Sequence, residues 1–146
     1  MKSILSLLVL GLGATGALAD NFAGSCDANS IKVSGKTLTA KCKNIFGQSK
    51  CSKLNLNKCI KNVYGRLQED PTGAGPHYGD HCIECTNKVP DGGLIIGVEP
   101  SLIYCKCDPG TGAAKANWPT AIFDLNTIVD NKNGALECFK TKSTSC

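Results

Sequence analysis

The amino-acid sequence predicts an all-β protein built from two pseudo-symmetric tandem repeats and stabilised by disulfides. Three observations lead to this fold class: one phrase that occurs twice, apolar side chains that alternate along short segments between Gly, Pro and Asn turns, and ten cysteines in 146 residues. Alternation with a period of two is typical of half-buried strands. No segment after the N-terminus sustains the helical period of about 3.6 residues.

The N-terminal segment has the composition of a secretory signal peptide. Lys2 precedes an apolar run, and Ala17 and Ala19 form an A-L-A cleavage site. The run is too short and too rich in Gly and Ala to span a bilayer, and no second apolar run follows. We therefore expect residues 1–19 to be removed and residues 20–146 to form one secreted, extracellular domain.

The ten cysteines all follow this segment, and their even number predicts a disulfide framework of up to five bridges. Bridges restrict the unfolded ensemble and contribute roughly 2–4 kcal/mol each, which offsets a small core with few aromatic residues. The cysteines are Cys26, Cys42, Cys51, Cys59, Cys82, Cys85, Cys105, Cys107, Cys138 and Cys146.

The charge of the chain is mild, with 16 Lys and Arg against 12 Asp and Glu. The lysines of the first half are spread out without a dense run, which favours a solvated face over a nucleic-acid footprint. We expect no nucleic-acid partner, no membrane insertion and no cofactor.

The first predicted element is a hairpin close to the start of the domain. Apolar alternation runs from Ile31 to Val33 before an "SGK" turn, and from Leu38 to Cys42 after it. Cys26 stands at the other end of the same inward-facing line. A Cys26–Cys42 bridge is the natural pairing for such a hairpin.

The repeated phrase reads "LNLNKCIKNVYGRL" at residues 54–67 and "FDLNTIVDNKNGALEC" at residues 123–138. Each copy predicts a strand, one tight helical turn that buries the next apolar pair, an Asn-to-Gly turn with positive φ at the glycine, and a return strand. Two copies are too few for a solenoid, so we expect a duplicated domain. Repeat one spans about residues 20–68, repeat two about 80–138, and a tail covers 139–146.

The second half contains a longer version of the first hairpin, "CTNKVPDGGLIIGVEPSLIYCKC", with a "PDGG" turn. Glycine and proline interrupt its strand pattern, so this hairpin must bulge or loop out. By analogy Cys85–Cys107 is the matching bridge, although Cys82 and Cys105 fit the pattern too. The remaining pairings that we considered are Cys138–Cys146, which would pin the tail, Cys51–Cys59 and Cys82–Cys105.

Two Gly- and Pro-rich segments separate these elements: residues 68–80 as a hinge between the halves and residues 108–121 as a long loop. Trp118, the one tryptophan, lies in the second loop. A buried aromatic that anchors its loop is more common than an exposed ligand platform.

The arrangement resembles the cyanovirin-N homology (CVNH) family, in a secreted, fungal-type version. Phe22 stands four residues before Cys26, Leu38 stands four before Cys42, and the two long phrases are the most specific element. The resemblance runs from Phe22 to about Cys138. It implies that each repeat is a three-stranded sheet plus a β-hairpin with strand exchange between the halves. It also implies lectin-like binding of oligosaccharides, typically mannose-rich, without catalysis, by a monomer or a domain-swapped dimer.

The resemblance further implies two sugar pockets. The first would combine the segment before Cys26, the residues after Cys42 and the "NKNG" turn; the second would combine the "NVYG" turn with the segments before Cys85 and after Cys107. The candidate carbohydrate-binding residues are Asn21, Ser25, Lys43, Asn44, Asn131 and Asn133 in the first pocket, and Asn62 and Tyr64 in the second. Asn62 and Asn131 have an equally good structural explanation, because asparagine side chains stabilise turns.

Two other functions remain open at this point. The cluster "HYGDHCIEC" suggests a zinc site or the acid–base pair of a small secreted ribonuclease, through His77, His81, Cys82, Glu84 and Cys85. Cysteines of secreted chains are usually oxidised, which argues against the zinc site. Ribonucleases of this kind pair the acid and the base with an arginine, and the repeat already explains the one arginine, Arg66, as a hairpin residue. The stronger alternative is a secreted cysteine-rich effector or antimicrobial protein that keeps the fold without sugar binding. Basic or aromatic residues at Lys43, Lys61 and Tyr64 favour that alternative.

Overall fold

The computed structural model describes residues 21–89 and 99–146. The predicted signal peptide and the "PDGG" turn lie outside the described residues. Within the described part of the chain, no helix is both long and apolar enough to cross a membrane.

Short strands dominate the structure, which confirms the all-β prediction. In chain order they are β1 (Lys32–Ser34), β2 (Thr37–Lys43), β3 (Ser49–Asn55), β4 (Ile60–Val63), β5 (Arg66–Glu69), β6 (Cys82–Thr86), β7 (Leu102–Cys107), β8 (Thr120–Asp124), β9 (Val129–Lys132), β10 (Ala135–Cys138), β11 (Thr141–Lys142) and β12 (Thr144–Ser145). The helices are α1 (Phe22–Ser25) and α2 (Tyr78–His81), with 3₁₀ turns at Ala28–Ser30, Leu56–Lys58, Lys115–Asn117 and Leu125–Thr127. The sequence did not indicate α1 and α2, because four residues are too few to show a helical period.

The strands form one long sheet and two small ones. The long sheet has the order β12–β3–β2–β1–β6–β7–β8, and the others are β4–β5 and β9–β10–β11. Strands β1 and β6 are joined at one residue pair, Ser34 with Thr86. The long sheet is therefore two three-stranded sheets, one from each repeat, that meet at a narrow seam, with β12 added at one edge.

Each hairpin packs against the sheet of the other repeat, which confirms the predicted strand exchange. Hairpin β9–β10 packs on β2 and β3, whereas β5 packs on β8 and β4 packs on α2. We call β1–β3, α1 and β9–β10 the first lobe, and β6–β8, α2 and β4–β5 the second lobe. Equivalent hydrogen bonds hold each hairpin: Asn131 Nδ2 donates to the Lys43 carbonyl and Asn62 Nδ2 to the Asp108 carbonyl, both over 2.9 Å.

The two copies of the repeated phrase fold in the same way. Each opens with a side chain that caps a 3₁₀ turn, Asn55 in the first copy and Asp124 in the second. The turn buries Leu56 or Leu125 completely and so begins three residues before the apolar pair where the sequence analysis placed it. Each hairpin then closes at a glycine with positive φ, 81° at Gly65 and 89° at Gly134, as predicted.

The core fills the space between the sheets and the hairpins. The largest side chains with no exposed surface are Tyr78, Phe22, Leu38, Leu54, Leu56, Ile60, Ile103, Leu125, Leu136 and Val129. Burial raises the pKa of the Tyr78 phenol, which donates to the Gly35 carbonyl over 2.7 Å. The buried phenol thus keeps a partner and ties α2 to the β1–β2 turn.

Five disulfides pair all ten cysteines. They are Cys26–Cys42, Cys51–Cys146, Cys59–Cys138, Cys82–Cys107 and Cys85–Cys105. The hairpin bridge Cys26–Cys42 forms as expected. The pairings Cys85–Cys107, Cys138–Cys146, Cys51–Cys59 and Cys82–Cys105 are wrong.

A β-bulge explains the pairing in the second half. Cys82 lies opposite Cys107 and Ile83 opposite Lys106, but Thr86 lies opposite Tyr104, so β6 contains one extra residue. Glu84 supplies it with a φ of 54°. Without the bulge, cysteines three residues apart would point to opposite faces of the strand. With it, Cys85 reaches Cys105 at a Cα–Cα distance of 4.3 Å.

The tertiary fold explains the other two corrections. Strand β3 is extended from Cys51 to Asn55, about 13 Å of chain that separates Cys51 from Cys59. The tail instead pairs with β3, where the Cys146 amide donates to the Cys51 carbonyl over 3.3 Å. Cys59 and Cys138 come from different repeats. The exchange of hairpins brings them together, and both are buried.

Candidate functional site

A cavity of about 450 Å³ opens in the second lobe. It is lined by Asn62, Val63, Tyr64, Pro76, His81, Asp108 and Gly110. These residues come from the "NVYG" turn, the α2 segment and the segment after β7. The turn and the post-β7 segment are those that the family resemblance implied. The third wall belongs to the segment around α2, because Cys82 and not Cys85 is the cysteine equivalent to Cys26.

Tyr64 is the most exposed aromatic side chain of this cavity, with 81% of its surface accessible. Its backbone has a φ of 50°, a conformation that is costly for a bulky residue. The equivalent residue of the other hairpin is Asn133, which tolerates its φ of 55° far better. A Cβ atom at Gly110 would lie only 3.1 Å from Tyr64 Cδ1. Because glycine has no side chain, the Tyr64 ring can lie beside this loop.

Asn62 lies under this cavity and is 7% exposed. Its Oδ1 accepts from the Gly65 amide over 3.0 Å, and its Nδ2 donates to the Asp108 carbonyl. The turn-building role considered from the sequence is therefore present. One N–H and one lone pair of the amide group are not used by these two bonds.

The polar rim of the cavity is formed by Asp108 and His81. Asp108 Oδ1 accepts from the Gly110 amide over 2.8 Å, and the Asp108 amide donates to the His81 carbonyl over 2.8 Å. The imidazole of His81 is exposed. The cavity thus combines an aromatic ring, apolar walls and hydrogen-bonding groups at its edge.

A smaller cavity of about 280 Å³ lies in the first lobe. It is lined by Gly24, Ser25, Cys26, Asp27, Lys43 and Ser49. Ser25 Oγ accepts from Asn131 Nδ2 over 3.1 Å, and Asn131 Oδ1 accepts from the Gly134 amide over 2.7 Å. Asn131 therefore does not line this cavity. Its hydrogen bonds hold the hairpin tip against Ser25 and the backbone of Lys43, which do.

The other predicted first-lobe residues also bond to the protein itself. Asn21 caps α1 by accepting from the Gly24 amide. Asn44 is 8% exposed and builds the β2–β3 turn, in which it accepts from two backbone amides. Asn133 accepts from the Ile45 amide over 2.9 Å and borders a separate groove of about 200 Å³ beside Lys50. Of the six first-lobe candidates, only Ser25 and Lys43 line the cavity.

The sequence analysis missed several residues that line the two cavities. They are Asp27 and Ser49 in the first lobe and Pro76 in the second, whereas Gly24, Val63 and Asp108 lie in segments that the resemblance had assigned to the pockets. One sequence signal was available: Tyr78 stands four residues before Cys82, as Phe22 stands before Cys26. That match would have identified α2 as the equivalent of α1 and its flanks as the third wall.

The cluster around α2 does not assemble a metal site among the described residues, where no group of three or more ligating side chains occurs. Cys82 and Cys85 are both in disulfides and offer no thiolate. Glu84 points to Lys106, with 2.9 Å between Oε2 and Nζ. Trp118 is half-buried and its indole donates to the Ala113 carbonyl over 3.0 Å, so it anchors its own loop.

Comparisons with known proteins agree with this geometry. The NMR structure of GzCVNH from Gibberella zeae has a TM-score of 0.63 and 23% identity, covering 82% of this chain and 98% of that one. TbCVNH from T. borchii gives 0.59 and 24%, covering 81% and 98%. A MoCVNH3 variant (Mo0v), crystallised in complex with (N-GlcNAc)4, gives 0.60 and 17%, covering 82% and 97%.

These similarities establish the fold but not the ligand. A search of curated protein sequences gave no match. A sequence model of the CVNH domain matches residues 22–137, which span both lobes and both cavities. The chain therefore belongs to the CVNH family.

Proposed function

We propose that the protein is a secreted, lectin-like protein that binds oligosaccharides non-covalently and catalyses no reaction. The observation that carries this proposal is the second-lobe cavity and its residue Tyr64. The Tyr64 side chain is exposed, and its backbone has a positive φ that is unfavourable for so large a residue. A strained, exposed aromatic residue beside a cavity points to a ligand contact, because a ring that is 81% exposed gains little packing to offset the strain.

The chemistry of the cavity suits a sugar. A pyranose ring has an apolar C–H face, which matches the Tyr64 ring and the walls at Val63 and Pro76. Its hydroxyl groups point outward from the ring edge, where Asp108 and His81 offer hydrogen-bonding groups. One apolar platform with a few convergent polar groups is the usual composition of a small-molecule site.

The family supports a proposal for the class of oligosaccharide. Mannose-rich chains are the ligands that the family resemblance implies, and the MoCVNH3 variant was crystallised with a GlcNAc tetramer. We propose that the first-lobe cavity, with Ser25, Lys43 and Asp27, is a second and more polar sugar site. Two sites on one chain would make the protein bivalent and raise its avidity for a multivalent glycan.

A glycan array with the oxidised protein, followed by calorimetry on the best ligand, tests the proposal. The informative variant is Tyr64→Asn, because asparagine accepts the positive φ and keeps the hairpin folded, as Asn133 does in the other lobe. We expect it to weaken binding by about tenfold, equivalent to about 1.4 kcal/mol. Exchange of an exposed apolar residue elsewhere, Ile122→Asn, serves as the control and should leave the affinity unchanged.

A blank array from folded protein would contradict sugar binding by either lobe. The effector or antimicrobial alternative, in which the fold is kept as a stable scaffold, would then be the function to test. Binding that Tyr64→Asn leaves unchanged would assign the ligand to the first lobe.

A further inference from the structure

The first lobe presents a strongly asymmetric charge distribution. Every charged residue between Asp27 and Glu69 in the sequence is Lys or Arg. This stretch includes all of β1, β2 and β3. The mild charge of the whole chain hides this asymmetry, because most of the acidic residues lie in the second half.

The strand register collects four of these lysines on one face of the sheet. Thr39 pairs with Lys32 on one side and with Lys53 on the other. Lys41 and Lys43 follow on the same face of β2, two and four residues further on, since alternate residues share a face. All four lysines are exposed. Among the described residues, the ion pairs of lysine involve Lys36, Lys106 and Lys132 and none of these four.

Asp27 lies at the edge of this basic face. The Asp27 amide donates to the Lys41 carbonyl at the edge of the sheet, and its Oδ1 accepts from the Asn29 amide. Asp27 is therefore occupied in capping a 3₁₀ turn. The face as a whole is positive.

Two large apolar side chains are exposed at the tip of the β2–β3 turn, which directly follows Lys43. Ile45 and Phe46 form the tip of the β2–β3 turn, and each is 78% exposed. Asn44 fixes the turn by accepting from the amides of Phe46 and Gln48, and Asn133 accepts from the Ile45 amide. The apolar tip is thus held in place by the hydrogen bonds to Asn44 and Asn133 while its side chains stay in water.

We propose that this face docks on the surface of a lipid bilayer that contains anionic headgroups. The four lysines contact the headgroups, while Ile45 and Phe46 enter the interfacial layer beside them. A soluble polyanion would engage the lysines but leave both apolar side chains in water, whereas a bilayer surface accommodates both features together. The contact is peripheral, so the chain does not cross the membrane.

Co-sedimentation of the disulfide-bonded protein with vesicles tests this proposal. We expect binding to phosphatidylcholine vesicles that contain phosphatidylserine, no binding to phosphatidylcholine alone, and weaker binding as salt is raised. The double variant Ile45→Ser with Phe46→Ser should weaken the binding by about tenfold or more. Ile122→Ser, which removes an exposed apolar side chain from the other lobe, is the matched control.

The charge contribution has its own matched pair of variants. Lys41→Gln, Lys43→Gln and Lys53→Gln together should weaken vesicle binding by about fivefold per lysine. Lys58→Gln, Lys140→Gln and Lys142→Gln remove the same charge from exposed positions off this face and should have little effect. The single variant Phe46→Trp should show a blue shift of its added fluorescence when anionic vesicles are present.

Three results would overturn the proposal. The first is the absence of binding to phosphatidylserine vesicles. The second is equal binding by the Ile45→Ser, Phe46→Ser variant and the unmodified protein, which would show a purely electrostatic attraction to polyanions. The third is an unshifted Phe46→Trp emission in the bound state. Sugar binding by the second lobe uses none of these residues and can be present or absent in each case, so that proposal and this one fail independently.

Discussion

At the scale of single residues, Asp70 is the clearest example of a side chain that organises its surroundings. It lies in the segment between the repeats and is 1% exposed. Its carboxylate accepts from the Gly75 amide over 2.9 Å, from Thr72 Oγ1 over 2.8 Å and from the Gly73 amide over 3.1 Å. Burial raises the pKa of Asp70, but these hydrogen bonds outweigh burial and hold it below the ordinary value.

Replacement of Asp70 by Asn should destabilise the protein in a pH-dependent way. Because the folded-state pKa is depressed, the ionised carboxylate stabilises the fold above the unfolded pKa of about 3.9, and this contribution disappears as the pH falls through the folded pKa. We expect Asp70→Asn to cost about 1–3 kcal/mol at pH near 7 and less in acid. Urea unfolding at both pH values measures the difference. Asp130→Asn, at an exposed carboxylate 3.6 Å from Lys132, is the control and should change stability little.

The asparagines of the two hairpins show how far residue types alone can be interpreted. Asn62 and Asn131 were equally compatible with sugar contact and with turn formation. In the structure each bonds to a backbone group of its own turn and to a backbone group of the sheet on which the hairpin packs. An amide side chain suits both roles chemically. Only the position of its partners distinguishes the two roles: Gly65 and Gly134 lie three residues away in the same turns, whereas Asp108 and Lys43 are distant in the sequence.

At the scale of secondary-structure elements, the bulge in β6 decides the disulfide pattern of the second half. C-x-x-C on one strand faces C-x-C on the next, and these spacings differ by one residue. Glu84 absorbs the difference, so both cysteines of β6 face both cysteines of β7. The mismatch of spacing was visible in the sequence and required an irregular strand. The sequence analysis predicted a bulge or loop in this hairpin from its interrupting glycine and proline residues, and it did not predict a bulge in β6.

Deletion of Glu84 should therefore remove the bulge and leave both bridges intact. Without the extra residue, Cys82 and Cys85 stand two positions apart on a regular strand, so they share a face and still lie opposite Cys107 and Cys105. Peptide mapping of the oxidised protein should find the pairs Cys82–Cys107 and Cys85–Cys105. Glu84→Gly keeps the bulge and accepts its positive φ, so it should also retain all five disulfides and serves as the control. Free or mispaired thiols at Cys85 and Cys105 in the deletion variant would contradict this account of the register.

At the scale of the whole molecule, the exchange of hairpins makes each lobe dependent on both repeats. Ile60 and Leu67 of the first repeat are buried in a lobe whose sheet comes from the second. The Cys59–Cys138 disulfide joins the repeats covalently inside the core. Neither repeat contains a complete core of its own.

A single repeat is accordingly expected not to fold. In residues 20–70 alone, the β4–β5 hairpin would expose its buried side chains, at a cost of about 1.5–3 kcal/mol for each large apolar residue. The amide NMR spectrum of this half should be poorly dispersed, and its thermal unfolding should lack a cooperative transition. The intact oxidised chain is the reference and should unfold cooperatively. A well-dispersed spectrum from the half-chain would show that the repeats are independent units.

The sequence by itself determined the local elements, because these depend on contacts between residues close in the chain. It was enough to predict the duplicated phrase with its turns and return strands, the β1–β2 hairpin with its Cys26–Cys42 bridge, and the family with its exchanged architecture. Only the tertiary structure decided how the other eight cysteines pair, which asparagines face a cavity, and that Pro76 and His81 join Tyr64 and Asp108 in one site. Those arrangements depend on strand register and hairpin exchange, and a one-residue bulge is enough to redirect every side chain that follows it.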